Sequence, residues 1–174
     1  RDTASAINST LEFDEVLERI LSNLKRVMPH DAANIMQLSD GMIHIVGHRG
    51  YVERGLGEWA SGLYYPVEPV PLLREMIQTL QAAVTPDTRV FENWALVPET
   101  RWVMSYIGAP IYQEDQVLGF LNLYSETPGF FSSMHTGRLQ AFADQAAIAL
   151  RNARLFEDER DQRTLAEAVS DTAA

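Results

Sequence analysis

The stretch Ser105-Tyr-Ile-Gly-Ala-Pro-Ile111, followed by Val117-Leu-Gly-Phe-Leu-Asn-Leu123, determines the fold more than any other part of the sequence. Two short apolar runs separated by the polar turn Glu114-Asp115 are typical of an antiparallel β-hairpin. We therefore predict strands over residues 104–112 and 117–124. Proline has no N–H to donate to a neighbouring strand, so Pro110 predicts a bulge or a local sheet edge.

A second hairpin is predicted upstream of the first. Strands over residues 32–38 and 42–49 flank Ser39-Asp40-Gly41, and an Asp-Gly pair is a strong signal for a tight hairpin turn. A short strand over 82–85 ends at Pro86. Two hairpins with one or two short strands give a central antiparallel sheet of five to six strands.

Helices are predicted at both ends of the chain. Residues 1–28 are predicted to be helical in two pieces, with apolar side chains on one face and a bend at Asn8-Ser9-Thr10, where the residue types favour helix caps. A long helix is predicted from about Ser132, and a short one over 72–79. A half-buried sheet needs cover on at least one face. We therefore predict an α+β fold with the terminal helices on one face and the irregular 51–102 insertion on the other.

The composition excludes several function classes. The chain has 174 residues, a formal charge of -10 and no cysteine. An acidic surface disfavours nucleic acid and anionic lipid as partners. Without cysteine there are no disulfides, thiol nucleophiles, iron–sulfur clusters or Cys-based zinc sites. No apolar run approaches the ~20 residues of a membrane span, so we predict no membrane insertion in this segment.

The organisation of the chain points to a longer protein. It begins at Arg1 and shows no secretory leader, so we expect a cytoplasmic piece of a larger chain. We predict a linker helix over 1–12, a compact domain over 13–156 and a C-terminal helical linker over 157–174. The charged run from Glu157 to Arg163 fits either a solvated helix or a coiled coil with a register break. Asp-Thr-Ala at both ends, over 2–4 and 171–173, raises the hypothesis of a tandem array.

Three further segments complete a family resemblance. Phe142-Ala-Asp-Gln-Ala-Ala-Ile-Ala-Leu150, Asn8-Ser-Thr-Leu-Glu-Phe-Asp-Glu-Val-Leu17 and Pro29-His-Asp-Ala-Ala-Asn34, taken with the 105–123 hairpin, resemble the GAF domain family over about residues 5–156. The resemblance implies a GAF/PAS-like layout with a small-molecule pocket opposite the terminal helices. It also implies a sensor or dimerisation module of a bacterial signalling protein, next to a histidine kinase, a diguanylate cyclase or a further sensor domain.

Comparison with the motifs of this family also argues against some of the chemistries that its members carry out. Covalent bilin attachment and free methionine sulfoxide reduction in GAF relatives use cysteine, which this chain lacks. Cyclic-nucleotide-binding members carry Phe-x-x-x-Asp-Glu, whereas here Phe131 is followed at that spacing by His135-Thr136. The resemblance therefore argues against these three chemistries.

Metal binding and catalysis are not expected from the residues themselves. His44 and His48 are predicted on the same face of one strand and ~13 Å apart, too far to share a metal ion. His30 is interpreted as a surface or capping residue and His135 as an exposed residue, so haem ligation is not expected. Ser105 and Ser125 lack the strand-to-helix turn that presents a nucleophile. We predict a non-catalytic domain with no metal and an unknown cofactor.

The insertion carries the candidates for ligand binding. The insertion is rich in tyrosine and tryptophan, Tyr65 among them. These residues combine apolar area with a polar group, which suits ligand pockets. Arg74 and Asp87 are the polar candidates that could orient a ligand. The alternative is that the rings form a small core of their own. The predicted pocket residues are Tyr51, Trp59, Tyr64, Arg74, Asp87, Trp94, Trp102 and Tyr106.

The alanine-rich stripe of the last helix allows a neighbouring helix to approach closely. We predict a parallel homodimer whose terminal helices relay the state of the pocket to a covalently linked output domain. The alternative is a ligand-free structural spacer in a tandem GAF, kinase or cyclase array. The predicted dimer contacts are Ala146, Ala149, Ala153 and Phe156.

Overall fold

A six-stranded antiparallel sheet forms the centre of the molecule, with strand order β3-β2-β1-β6-β5-β4. The computed structural model describes residues 2–92, 94 and 97–173. The predicted α+β class and antiparallel sheet are confirmed. The strands are β1 Ala32–Ser39, β2 Met42–Arg49, β3 Tyr64–Pro66, β4 Ala83–Thr85, β5 Ser105–Gln113 and β6 Gln116–Ser125, and the helices are α1 Asp2–Val27, α2 Gly57–Ser61, α3 Pro71–Thr79 and α4 Thr136–Ala173.

Both predicted hairpins form, each around a two-residue turn. Asp40 and Gly41 have φ of 52° and 74°, and Glu114 and Asp115 have φ of 51° and 65°. Two successive residues with positive φ match the right-handed twist of the flanking strands. The first turn uses the expected Asp-Gly pair. The second holds two non-glycine residues in the left-handed region.

Two bulges reverse the alternation of side chains. Ile35 of β1 pairs with Gly47 of β2, and the next β1 residue, Met36, pairs with Ile45. Val46 of β2 is therefore left without a partner in the register. An extra residue shifts the following side chains to the opposite face. His44 therefore lies on the helix side of the sheet and His48 on the other, where its ring contacts Tyr51. The prediction that the two histidines share a face is wrong for this reason.

The second bulge lies one residue beyond Pro110. Pro110 pairs with Phe120 in the regular register, and the register shifts between Ile111 and Tyr112. The residue left unpaired is Leu118, so the extra residue of this bulge lies in β6, the neighbour of the strand that contains Pro110.

The sheet separates two apolar cores, as predicted. On one face, α1 buries Leu17, Leu21 and Leu24, and α4 buries Ala143 and Leu150. On the other face, the 51–103 insertion packs over the sheet. Along β6 the side chains alternate between the cores: Leu121 and Leu123 lie under the helices, and Phe120, Asn122 and Tyr124 face the insertion.

Both terminal helices are continuous. No break occurs at Asn8-Ser9-Thr10, so the prediction of two helical pieces is wrong: cap-type residues in a helix interior can leave their side chains in solvent. The bend itself stays a prediction. Helix α4 continues through the charged run, and the side chains of residues 157–172 are exposed. The linker boundaries at 12/13 and 156/157 stay predictions.

Two histidines lie differently from the interpretation given above. His30 is buried, and its Nδ1 lies 2.7 Å from the carbonyl oxygen of Met28. Its Nε2 is buried without a partner among the described residues. His135 is half-buried; its Nδ1 accepts a 3.0 Å hydrogen bond from the backbone N–H of Ser132, closing a capping box at the start of α4.

The burial of His30 makes stability depend on pH. Desolvation lowers the pKa of His30 below its usual 6.5, and the positive charges of Lys25 and Arg49 add to that effect. The unfolded chain then takes up a proton that the folded chain resists, so stability is full above pH 6.5 and is lost as the pH falls below it. We expect the urea midpoint to drop more between pH 7.5 and 5.0 in the wild type than in His30→Gln. Equal drops would contradict this role for His30.

Candidate functional site

A cavity of about 340 Å³ lies between the sheet and the insertion, on the face opposite the terminal helices. Its floor is formed by side chains from three of the four inner strands: Asn34 and Met36 of β1, Tyr106 of β5, and Asn122 and Tyr124 of β6. The roof comes from the insertion. The volume lies at the lower end of the range for small-molecule pockets, which is about 300–1,000 Å³.

Hydrogen bonds join the polar residues of the floor into one ladder. The Tyr106 hydroxyl donates to Asn122 Oδ1 (2.6 Å), and Asn122 Nδ2 donates to Asn34 Oδ1 (2.9 Å). Asn34 Nδ2 in turn donates to the hydroxyl oxygens of Tyr51 (2.9 Å) and Tyr124 (3.2 Å). Because buried polar groups need partners, the two asparagines fix the positions of three tyrosine rings.

The ladder depends on a missing side chain at Gly108. A Cβ atom there would lie 2.0 Å from the Tyr106 hydroxyl and 2.7 Å from Asn122 Oδ1. Both contacts are far inside van der Waals distance. Gly108 therefore leaves the space through which the Tyr106 phenol passes over its own strand to Asn122 on β6.

The phenols of the ladder are neutral at physiological pH. Burial raises the pKa of Tyr51 to about 12, and burial also raises the pKa values of Tyr106 and Tyr124 above their ordinary value. These hydroxyls consequently serve as hydrogen-bonding groups, and none supplies a phenolate base.

Aromatic rings form most of the enclosure, which we call the aromatic wall. Successive rings contact each other: the centroids of Tyr51 and Tyr124 are 6.4 Å apart, those of Tyr124 and Tyr106 5.5 Å, and those of Tyr106 and Trp94 5.3 Å. Such contacts stabilise the fold beyond the area that they bury. The members of the aromatic wall are Tyr51, Trp59, Tyr65, Trp94, Trp102, Tyr106 and Tyr124.

The two tryptophans of the 91–103 segment are held by packing. Trp94 Nε1 and Trp102 Nε1 are buried with no hydrogen-bond acceptor among the described residues. The Arg54 guanidinium lies 3.7 Å from the ring centroid of Trp102 and pairs with Glu126 at 2.8 Å. Within the described part of the chain, packing and the Arg54 contact therefore hold these two indoles, with no hydrogen bond from either N–H.

The cavity carries little charge, and that charge is negative. Among the described residues that line it, Glu99 is the one carboxylate, and none is Lys, Arg or His. Phosphate and carboxylate ligands need cationic partners, which this lining does not supply. In the described part of the chain, no three His, Asp or Glu side chains lie close enough together to hold a metal ion.

The structure brings five of the eight predicted pocket residues around this cavity: Tyr51, Trp59, Trp94, Trp102 and Tyr106. The other three do not line it. Tyr64 is 67% exposed, because side chains alternate along β3 and Tyr65 takes the inward position. Arg74 bonds to the carbonyl oxygen of Glu68, and Asp87 caps a turn by accepting from Arg89.

Sequence reasoning missed the polar floor. Asn34, Asn122 and Tyr124 lie in apolar strands, where each is one polar side chain among many buried ones. The signal available was the period-2 spacing of Asn122 and Tyr124, which places both on the face opposite Leu121 and Leu123. Their convergence with Asn34 depends on strand pairing, since Asn34 lies directly opposite Asn122 in the register.

The predicted dimer residues take two different positions. Ala146 is fully buried against the sheet, so it cannot contact a partner, and its assignment is corrected. Ala149, Ala153 and Phe156 are half-buried and line an open groove between α1 and α4. The stripe chosen from the sequence is the stripe that covers the sheet. The exposed apolar residues of the same helix include Ile148 and Leu155, which the sequence analysis did not select.

Comparison with known proteins identifies the family. The family model for the GAF domain matches residues 10–151. The chain belongs to the GAF domain family. The match covers the whole sheet, the insertion and the part of α4 that packs on the sheet, so the predicted resemblance is confirmed. No curated protein matches the sequence of this GAF domain.

Solved structures show the same fold at low sequence identity. A GAF domain/HD domain protein from Geobacter sulfurreducens has a TM-score of 0.71 at 16% identity, covering 84% of this chain and 96% of its own. A type II free methionine-R-sulfoxide reductase from Thermoplasma acidophilum has a TM-score of 0.68 at 14% identity, covering 83% and 96%. Residues 122 to 287 of a methyl-accepting chemotaxis protein score 0.66 at 18% identity, covering 87% and 96%.

Within the described residues, no helix combines the length and the apolar composition that crossing a bilayer requires. That finding covers α4 as well, in which charged residues recur along the extension.

Proposed function

We propose that this GAF domain is a non-catalytic sensory and dimerisation module of a bacterial signalling protein. The cavity would bind a small molecule, and α1 and α4 would pass the resulting change to a covalently linked output domain such as a histidine kinase or diguanylate cyclase. Two of the similar solved structures belong to multidomain signalling contexts by their names, a GAF/HD protein and a chemotaxis protein.

One observation carries the proposal: the cavity and the terminal helices lie on opposite faces of the same strands. On β6, Asn122 and Tyr124 line the cavity, while the intervening Leu123 packs under the helices. Gln140 of α4 also donates to the carbonyl oxygen of Pro110 on β5 (2.9 Å). A displacement of these strands changes the packing of both faces together, because tightly packed cores do not absorb shifts gradually.

The proposed dimer uses the solvent side of the terminal helices. Ile7 and Leu11 of α1 and Ile148 and Leu155 of α4 are each about half exposed or more. Ile148 and Leu155 are seven residues apart, which places them on one face of α4. The exposed extension of α4 continues with Leu165 and Val169. A parallel pairing would bury these side chains and align the two extensions toward the output domains.

The relay is testable without knowing the ligand. Because the chain has no cysteine, a single Glu167→Cys on the α4 extension takes one spin label per protomer. Val70 lines the cavity, so Val70→Phe fills part of it from the roof. We expect light scattering to give a dimer, and we expect Val70→Phe to shift the mean label-to-label distance by about 1–5 Å, the scale of helix shifts at interfaces.

The matched control places the same ring in solvent. Val52 is 68% exposed and lies outside the cavity, so Val52→Phe should leave the label distance unchanged. A strict monomer at micromolar concentration, or equal distances in the two variants, would count against the relay.

The second candidate is a ligand-free spacer. The mutual packing of the aromatic wall favours it, because these rings stabilise the fold whether or not a ligand is bound. A spacer predicts that filling the remaining cavity with Val70→Phe raises the melting temperature and moves no helix.

A further inference from the structure

We propose that the ligand of this cavity is an organic cation with an alkylated ammonium group, held by the faces of the aromatic wall and by the Glu99 carboxylate. This inference rests on the proposal that the cavity binds a small molecule, and it names the chemical class of that molecule. Neither the family nor the fold specifies this class.

The first argument is the composition of the enclosure. Seven aromatic rings, three of them the chain's three tryptophans, line a single cavity of about 340 Å³. The face of an aromatic ring is electronegative and attracts a cation within about 6 Å of the ring centre; tryptophan does so best. A cage of such rings replaces part of the hydration shell that an alkylated ammonium ion gives up, and that shell is already weak.

The second argument is the sign of the fixed charge. Glu99 is half-buried at the cavity, and no cationic side chain lines it among the described residues. The nearby Arg54 does not supply a positive charge to an anion, because Glu126 already pairs with it. An anionic ligand would meet one negative charge and no positive one, whereas a cation meets its counter-ion. The net charge of -10 attracts cations toward the whole domain.

The third argument is that one ring of the wall already binds a cation. The Arg54 guanidinium lies 3.7 Å from the ring centroid of Trp102. Arg54 is not part of the cavity lining, whereas Trp102 is. Trp102, one ring of the aromatic wall, therefore makes a cation–π contact within the fold.

The test compares two probes that differ in one atom. Choline and 3,3-dimethylbutan-1-ol have nearly the same shape, but the first has a quaternary nitrogen where the second has a carbon. We expect calorimetric titration of the 174-residue chain to show at least tenfold tighter binding of choline. Binding of the neutral alcohol that is as tight as that of choline, or no binding of choline up to millimolar concentration, would overturn the proposal.

Two variants locate the contacts. Glu99→Gln removes the carboxylate charge and keeps the size of the side chain, so choline affinity should fall about fivefold or more while that of the alcohol stays unchanged. Glu92→Gln is the matched control, because Glu92 is exposed in the same segment and does not line the cavity. Equal effects of the two variants would assign the preference to the general field of the acidic domain and overturn the site.

The ligand class and the relay fail independently. If Val70→Phe moves the α4 labels while choline does not bind, the ligand class is wrong and the relay stands. If choline binds with the expected selectivity and the labels do not move, the ligand class stands and the relay fails.

Discussion

Gly108→Ala is expected to lower the free energy of unfolding by about 2–4 kcal/mol. The added Cβ would lie 2.0 Å from the hydroxyl of the buried Tyr106. The Tyr106 ring contacts Trp94 and Tyr124, so it would have to move toward the cavity and would lose its hydrogen bond to Asn122. Overpacking a tight core costs about 1–3 kcal/mol, and leaving a buried hydrogen-bonding group unpaired costs about as much again. For a chain of this size we expect the melting temperature to fall by roughly 5–15 °C.

The control for this substitution has the opposite sign. Gly137 lies near the start of α4, and nothing lies within 4 Å of a Cβ built there. Gly137→Ala should therefore leave stability unchanged or raise it by up to about 0.5–1 kcal/mol, since alanine favours the helix. If both glycine variants melted at the same temperature, the packing argument at Gly108 would be wrong.

A double-mutant cycle identifies the clashing group. Tyr106→Phe removes the hydroxyl nearest the new Cβ, although Asn122 Oδ1 and the ring carbon Cζ would still lie 2.7 Å away. We expect Gly108→Ala combined with Tyr106→Phe to be less destabilised than the sum of the two single variants. Simple additivity would place the strain somewhere other than the Tyr106–Asn122 hydrogen bond.

Ala146→Glu is expected to unfold the domain rather than to dissociate a dimer. Ala146 has no solvent exposure and packs among the core residues between α4 and the sheet. A glutamate there adds four heavy atoms beyond Cβ to a filled core and buries a charge without a partner. We expect a loss of at least about 4 kcal/mol, which is comparable to the total stability of many domains, about 5–15 kcal/mol. Circular dichroism and urea unfolding measure this loss.

Ile148→Glu separates the fold from the proposed dimer. Ile148 lies two residues further along α4 and is 62% exposed, so the same new side chain meets solvent in a monomer. We expect native circular dichroism with a shift toward monomer in light scattering. A folded, fully dimeric Ile148→Glu would contradict the use of this face, and a folded Ala146→Glu would contradict its burial.

Local patterns were sufficient to predict the strands and the two layers. The 105–123 hairpin and the Asp40-Gly41 turn are short-range signals, because the turn and the two strands that it joins are close in sequence. The helical periodicity of 13–28 and the Ala-rich stripe beyond Leu139 likewise identify the faces that cover the sheet. The same stripe misled the choice of dimer contacts. The spacing of apolar residues along a helix shows which face is buried, but it does not show whether a sheet or a partner helix buries that face. For Ala146 it is the sheet.

Wherever one extra residue changed the direction of later side chains, local patterns were insufficient. The unpaired Val46 sends His44 and His48 to opposite faces, and no residue type at position 46 signals that irregularity. Tyr64 and Tyr65 are equivalent by composition, but the pairing of β3 with β2 turns one outward and the other inward.

By itself, the sequence determined the α+β class, the order of the elements, the family resemblance and the absence of any cysteine chemistry. These follow from residue types, spacings within a few turns and the composition. The tertiary structure alone decided the cavity floor, because Asn34, Asn122 and Tyr106 come from three strands that lie up to 88 positions apart along the chain. Their hydrogen bonds depend on the register between β1, β6 and β5, which is set by the packing of both sheet faces together.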